Sequence, residues 1–260
     1  MSIPIRFPRG HTPIMSRVGR VGSWVLRTLP RAFVELFRNH RTAAVLTTTA
    51  VTAFAALAVL AIAAEPTLLR LDQAVQSWIL ANRTGWLDQA MVWLTFLGTR
   101  YVIGAAAVVL LAWSQITRRH RTFVALIVGA VLLNPVLEIG FKELVDRVRP
   151  AVAQLLPGNG PSFPSGHVLA AVGFYGLIPF LTWEATRNAW ARCAAVVGSL
   201  AVIAVVTVSR PYLDVHWTTD AVAGVLLGTV LVTATYQAYL RVALADKALS
   251  SQPSALSPRS

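Results

Sequence analysis

Apolar residues in this chain run without interruption over stretches that neither a half-buried strand nor a surface helix requires, and several are long enough to cross about 30 Å of hydrocarbon. The clearest runs from Thr42 to Ala64 and contains no charge. A second extends from about Tyr101 to Thr117, and a third from Thr122 to about Leu144, with Glu138 and Lys142 in its last turns. A fourth runs from His167 to near Trp183, a fifth from roughly Ala189 to Val208, and a sixth from His216 to Tyr239. Between the first two lies an amphipathic stretch, Leu71 to Leu97, whose Trp78, Trp86 and Trp93 suit the depth of a membrane interface. The pattern predicts an all-α integral membrane bundle of six transmembrane helices.

Composition narrows the class. The chain is 55% hydrophobic and only 13% charged, too little polar surface to wrap a water-soluble globule of 260 residues. Its one cysteine, Cys193, excludes an internal disulfide and a thiolate metal cluster. A net charge of +12 would suit a nucleic-acid binder, but the positive charge is almost all arginine and sits in a few places, so no nucleic-acid partner is expected.

Those places set the orientation, because short loops rich in Lys and Arg stay cytoplasmic. Residues 1–41 hold Arg6, Arg9, Arg17, Arg20, Arg27, Arg31, Arg38 and Arg41 against the single acid Glu35. With six crossings, the loop of Arg118, Arg119 and Arg121, the loop of Arg187 and Arg192, and the tail with Arg241 and Lys247 fall on that same side. The expected organisation is a basic cytoplasmic segment over 1–41 lying on anionic lipid, a membrane domain over 42–240, and a short cytoplasmic tail over 241–260 whose Ser/Pro-rich end is disordered. No signal peptide, repeat or second domain is read, and the location is the plasma or inner membrane.

Three polar clusters then face outward at helix mouths. In the last, His216 and Asp220 are four residues apart at the start of the sixth helix, where a carboxylate can hold one ring nitrogen and leave the other free to attack. In the second, Pro164-Ser165-Gly166 leads into His167; Ser165 can cap the helix, and Gly166 lets an anion approach its free amides, with His167 beside it as a proton donor. In the first, Lys142 and Arg149 are two helical turns apart, about 10 Å if the helix continues that far, with Arg147 between and Pro150 as the stop. Each cluster taken singly has a plainer reading: an acid capping a helix beside interfacial residues, a surface histidine at a helix start, or a Glu138–Lys142 ion pair with snorkelling arginines. Their coincidence outweighs those readings. Of five histidines, His11, His40 and His120 lie on the basic side, and the two outside are the two within the clusters.

Lys142 to Arg149-Pro150, Pro164-Ser165-Gly166-His167, and Ser209-Arg210 followed by His216 and Asp220 closely resemble the three-part signature of the type 2 phosphatidic acid phosphatases (PAP2), the superfamily that includes vanadium haloperoxidases. The match is complete at every signature position from 142 to 220, and the six-helix layout resembles the family's membrane branch. The resemblance implies phosphoryl transfer in two steps without metal or cofactor. His216 attacks phosphorus and Asp220 orients it. His167 protonates the leaving group and then activates water. Lys142, Arg149, Arg210, Ser165 and the Gly166 amide hold the phosphate oxygens, with Arg147 and Ser209 as auxiliaries. Asp214 departs from the glycine often found two residues before the nucleophile; it either raises the basicity of His216 or costs phosphate affinity. The expected partners are a lipid phosphate substrate and membrane lipids, with no obligate protein partner. An isoprenoid carrier such as undecaprenyl diphosphate is the leading substrate, ahead of phosphatidic acid and phosphatidylglycerol phosphate. A protein that binds or transports a lipid phosphate without cleaving it is the alternative of another class.

Overall fold

A computed structural model describes residues 13–150 and 152–250, and among these every regular element is helical, with no strand. The helices are α1 (Pro13–Arg38), α2 (His40–Ile62), α3 (Pro66–Ala81), α4 (Gly85–Leu94), α5 (Arg100–Thr117), α6 (Arg121–Val145), α7 (Gly166–Tyr175), α8 (Ile178–Ala185), α9 (Ala189–Tyr212) and α10 (Thr218–Ser250). A short 3₁₀ turn, Thr95–Gly98, joins α4 to α5. Six helical segments are long and apolar enough to cross a membrane, α7 and α8 together forming one of them. Their bounds agree with the apolar runs of the sequence to within a few residues, except that α10 runs about two turns further. Val45, Val51 and Val59 of α2, and Val108, Val109 and Ile116 of α5, are exposed, as lipid-facing side chains must be.

Local chemistry places the ends of these helices. Asn39 caps α2 by accepting from the Arg41 amide at 2.9 Å, and Asn188 caps α9 by accepting from the Trp190 amide at 2.9 Å. Pro66 opens α3, where its missing N–H costs nothing. α6 does not continue to Pro150. It stops at Asp146, which takes a left-handed conformation with φ of 45°, so Arg147 and Arg149 leave the helix on an irregular strand of chain.

α10 is the central helix, packing against α7, α2, α6 and α9. It comes close to α7 because Gly224 and Gly228 leave room. A methyl on Gly224 would stand 2.9 Å from the Ser165 carbonyl oxygen, and one on Gly228 2.5 Å from Val172 Cβ. Backbones that approach this closely are held by van der Waals packing, the main force between helices in lipid. At one end of the bundle an aromatic layer locks the helices together. Phe180 lies 4.1 Å from Tyr236 and 5.2 Å from Phe37, and Phe123 lies 4.3 Å from Tyr239, between ring centroids. The polar clusters collect at the opposite end, where α6 and α9 finish and α7 and α10 begin.

The N-terminal segment is more than a surface anchor. α1 buries Val34 and Phe37 in the main core, and Gln237 of α10 donates to the Phe37 carbonyl at 2.6 Å. Its outer face still carries exposed Trp24, Val25 and Leu29 among arginines. The stretch expected at the interface forms α3 and α4, with Trp78, Trp86 and Trp93 all exposed, but its inner face is not apolar: Asp72 and Gln76 are buried there. At the far terminus α10 continues to Ser250, into the span read from the sequence as tail. Residues 1–12, with Arg6, Arg9 and His11, and residues 251–260 of the tail lie outside the described residues.

Candidate active site

His216 precedes α10 in the turn that follows α9, rather than lying on the helix. The ring is 2% exposed and is held from both sides. Nδ1 faces Asp220 Oδ2 at 3.6 Å, beyond hydrogen-bond reach, while Nε2 lies 3.2 Å from Arg149 Nη1. Since a guanidinium only donates, Nε2 carries its lone pair toward Arg149, and Nδ1 holds the proton facing the carboxylate. Burial holds the His216 pKa down to about 4, against the opposing pull of Asp220, while Arg210 and Arg149 add to the depression. The ring is therefore neutral at physiological pH.

Asp220, fully buried on the first turn of α10, is fixed by other partners. Its Oδ2 accepts from the Trp217 amide at 2.9 Å, and its Oδ1 accepts from Arg147 Nη1 at 2.7 Å. Arg147 is thus engaged away from any phosphate. Its other nitrogen donates to Asp72 Oδ2 at 2.8 Å, and Nη1 also reaches Thr219 Oγ1 at 2.8 Å. Asp72 closes the cluster by accepting from the Thr219 amide at 3.0 Å. Sequence reasoning missed Asp72. The available signal was an acid and an amide one turn apart, Asp72 and Gln76, within an amphipathic run beside a membrane. Asp72 is 1% exposed and Arg147's side chain 9%, so Asp72→Asn leaves a buried guanidinium short of one charge. The variant should lose about 3 kcal/mol of stability, read as a clearly lower apparent Tm in detergent. An unchanged Tm would mean the cluster contributes nothing net.

Arg149 is the hub of the loop between α6 and α7. Its Nε donates to the Gly160 carbonyl at 2.8 Å, and Nη2 donates to those of Asn159 and Pro161 at 3.1 and 3.0 Å. Nη1 donates to the Val215 carbonyl and turns toward His216. Burial lowers its pKa, and the charges of Asp220 and Glu138 act in the other direction. Arg210, 6% exposed at the end of α9, donates from Nη1 to Thr95 Oγ1 at 2.8 Å, and its Nε is buried with no partner. Ser209 donates to the same Thr95 hydroxyl at 3.0 Å, so it supports Arg210 through Thr95. Thr95 is a second residue that sequence reasoning did not find, and nothing in its sequence context marks it.

Ser165 occupies the N-cap position of α7 yet makes no capping bond; its fully buried Oγ has no partner. An unsatisfied buried hydroxyl next to unpaired helix amides offers donors to an anion's oxygens. His167, in the first turn of α7, lines a cavity of about 470 Å³ between α5, α6 and α7. Lys142, Glu138, Arg100 and Gly166 share that cavity, which descends past Ile139, Pro135 and Val131 to Ala130. Lys142 Nζ is bound to Glu138 Oε1 at 2.6 Å.

Asp214 is explained by its backbone. Its φ is 58°, in the left-handed region where glycine is free and Asp is among the better-tolerated residues. Its carboxylate is fully buried and accepts from the Ala153 amide at 2.6 Å, tying down the loop that Arg83 also holds through the Ala153 carbonyl at 2.9 Å. It anchors a loop. Among the described residues no three His, Cys, Asp or Glu side chains come together as metal ligands.

The sequence pattern of the PAP2 superfamily matches residues 119–243. Phosphatidylglycerophosphatase B of Bacillus subtilis (strain 168) is 32% identical over 171 residues, covering 62% of this chain and 79% of that protein. Among solved structures, the fold is similar to a transmembrane PAP2-type phosphatidylglycerolphosphate phosphatase from Bacillus subtilis, at a TM-score of 0.65 and 26% identity over 74% of this chain and 96% of that one. Aquifex aeolicus LpxE is similar in fold, at a TM-score of 0.51 and 22% identity over 64% of this chain and 95% of that one.

Proposed function

The chain belongs to the PAP2 superfamily, and from that premise we propose that it removes the terminal phosphate of a membrane lipid through a phosphohistidine on His216, with phosphatidylglycerol phosphate as its leading substrate. It is a multi-pass membrane phosphatase. The observation that carries a lipid substrate is the cavity beneath His167. Its polar rim of Lys142, Arg100 and Gly166 opens onto an apolar wall that follows α6 from Lys142 to Ala130, about 18 Å along the helix axis. A headgroup phosphate fits the rim while a hydrocarbon chain runs down the wall.

Lys142, Arg149, Arg210, Ser165 and the Gly166 amide surround the non-bridging oxygens, whose charge must be stabilised in the transition state. His216 attacks in line, Asp220 keeps its ring oriented, and His167 gives its proton to the departing oxygen before activating water. The 3.6 Å contact between His216 and Asp220 tightens as charge develops on the ring. No step of this proposal calls for a metal. Two histidines beside a phosphate cradle argue against a protein that only binds or transports the lipid, since binding needs cations but neither a nucleophile nor an acid.

The names of the Bacillus subtilis sequence relative and of the Bacillus subtilis solved structure both carry phosphatidylglycerol phosphate, which supports putting it ahead of the isoprenoid diphosphate favoured by the sequence alone. Arg100 supports keeping the diphosphate as second reading. It lines the cavity with His167 and has no hydrogen bond or ion pair among the described residues, only the Tyr101 ring at 5.8 Å. It is free to meet a second phosphate, which both lipids have and phosphatidic acid lacks. The test is phosphate release by the purified protein from phosphatidylglycerol phosphate, an isoprenoid diphosphate, phosphatidic acid and an aryl phosphate, with excess chelator present. Phosphatidylglycerol phosphate should turn over fastest and vanadate should inhibit. Release from none by folded protein, or activity that requires added magnesium, would overturn the reading.

The site faces the extracytoplasmic side and both termini the cytoplasm, because the basic connectors Arg118 to Arg121 and Arg187 to Arg192 lie at the end of the bundle opposite the site. Val152, 78% exposed on the loop over the site, is the place to check this. Val152→Cys in a Cys193→Ser background should react with a membrane-impermeant thiol reagent in intact cells. Labelling only after lysis would reverse the orientation.

A further inference from the structure

We propose that Glu138 is a built-in competitor for the substrate's phosphate: its carboxylate stands at the N-terminus of α7 and holds Lys142, so an entering phosphate displaces it and a leaving phosphate is expelled by it. This rests on the reading that Lys142, Arg149, Arg210 and the start of α7 cradle phosphate.

Glu138 and Lys142 lie one turn apart on α6 and are joined at 2.6 Å, with side chains 28% and 19% exposed on the cavity. The carboxylate does not stand behind the lysine. A methyl group added to Gly166 would collide with both Glu138 oxygens, so the carboxylate touches the first residue of α7. That is the place where free helix amides favour an anion. Its negative charge also acts on Arg149 and Arg210, the other two cations of the cradle.

The other acids near the site are turned elsewhere. Asp72 and Asp220 bind Arg147, and Asp214 binds the Ala153 amide. Glu138 is thus the one carboxylate lining the cavity with His167 among the described residues. A carboxylate whose purpose was to steady Lys142 would sit on the side away from the phosphate. This one shares the phosphate's own contacts, and a phosphate dianion beside it is repelled. The benefit is turnover: Lys142 and Arg100, which line the cavity, together with Arg149 and Arg210 of the proposed cradle would retain inorganic phosphate after hydrolysis, and an internal anion one turn away offers Lys142 an exchange partner.

The experiment measures inhibition by vanadate and by inorganic phosphate, using purified full-length protein in detergent with a soluble aryl phosphate. Glu138→Gln keeps the shape and removes the charge, and should lower both inhibition constants about tenfold, the scale of a partly exposed charge pair at contact. Glu138→Asp draws the carboxylate back from Gly166 and should lower them by a smaller factor, which keeps the test open if the glutamine variant folds poorly. Unchanged or raised inhibition constants would overturn the proposal, and a rise matching that of Lys142→Ala would make Glu138 a positioning residue for the lysine. Lys142→Ala is also the control on the cradle. If it leaves vanadate inhibition unaltered, the phosphate-site reading itself fails, whatever Glu138 does.

Discussion

Replacing His216 by alanine should abolish turnover of every substrate, by a factor on the order of 10⁴ or more, and should remove the acid-labile phosphoenzyme that rapid quenching is expected to trap in the wild type. The size of the effect follows from the surroundings of the ring. Nε2 faces Arg149 at 3.2 Å with its lone pair, and in the proposed mechanism no other group replaces it as nucleophile. Water cannot take its place efficiently, because the ring is 2% exposed in a site shaped around it. The pH dependence tests the same assignment. The pKa of His216 is lowered to about 4, so the attacking neutral form is present above that value and is lost as pH falls through it. The acid limb of kcat/KM on an aryl phosphate should therefore lie well below the ordinary histidine value of about 6.5. A phosphoenzyme that persists in His216→Ala would assign the nucleophile elsewhere, and an acid limb near 6.5 would show the ring to be less shielded than its burial implies.

His167→Ala should produce the second largest effect, and one that depends on the leaving group. A lipid alkoxide departs poorly without a proton, so its rate should fall by roughly 10² to 10⁴. An aryl phosphate leaves as a stabilised phenolate, and its rate should fall by less than about tenfold. His167 is placed for this role by its position in the first turn of α7, lining the cavity into which the lipid would descend, whereas His216 is closed off among Arg149, Asp220 and Val215. Single-turnover rates for the two substrate classes measure the difference. Equal losses on both would make His167 a phosphate-binding group rather than the acid.

Much of this architecture was legible before any contact was known. Six apolar runs, their bounds and the segregation of arginines follow from hydropathy and charge, which each stretch of chain carries regardless of its neighbours. Since helices of membrane length can only cross from one side to the other, fixing the crossings also fixed that the three polar clusters share one end of the bundle. Lys142, Ser165, His167, Arg210, His216 and Asp220 were marked out by residue type, spacing and the family resemblance, and the fold brings them to that common end.

Only the tertiary structure decided how those residues are used. Arg147 lies two positions from Arg149 and is chemically identical to it, yet it is spent on Asp72 and Asp220 while Arg149 faces His216. The role of Ser209 changed from auxiliary to support once Thr95, more than a hundred residues earlier, proved to lie between it and Arg210. Asp214 left two readings open from sequence, and its φ of 58° with a bond to the Ala153 amide adds a loop anchor that neither reading contained. Glu138 read as a plain partner for Lys142 until α7 arrived beside it and put Gly166 against its carboxylate. The reason is the same in each case: hydropathy, charge and capping are properties of adjacent residues, whereas the choice of ion-pair partner is made through space, by helices that meet only after the chain has packed.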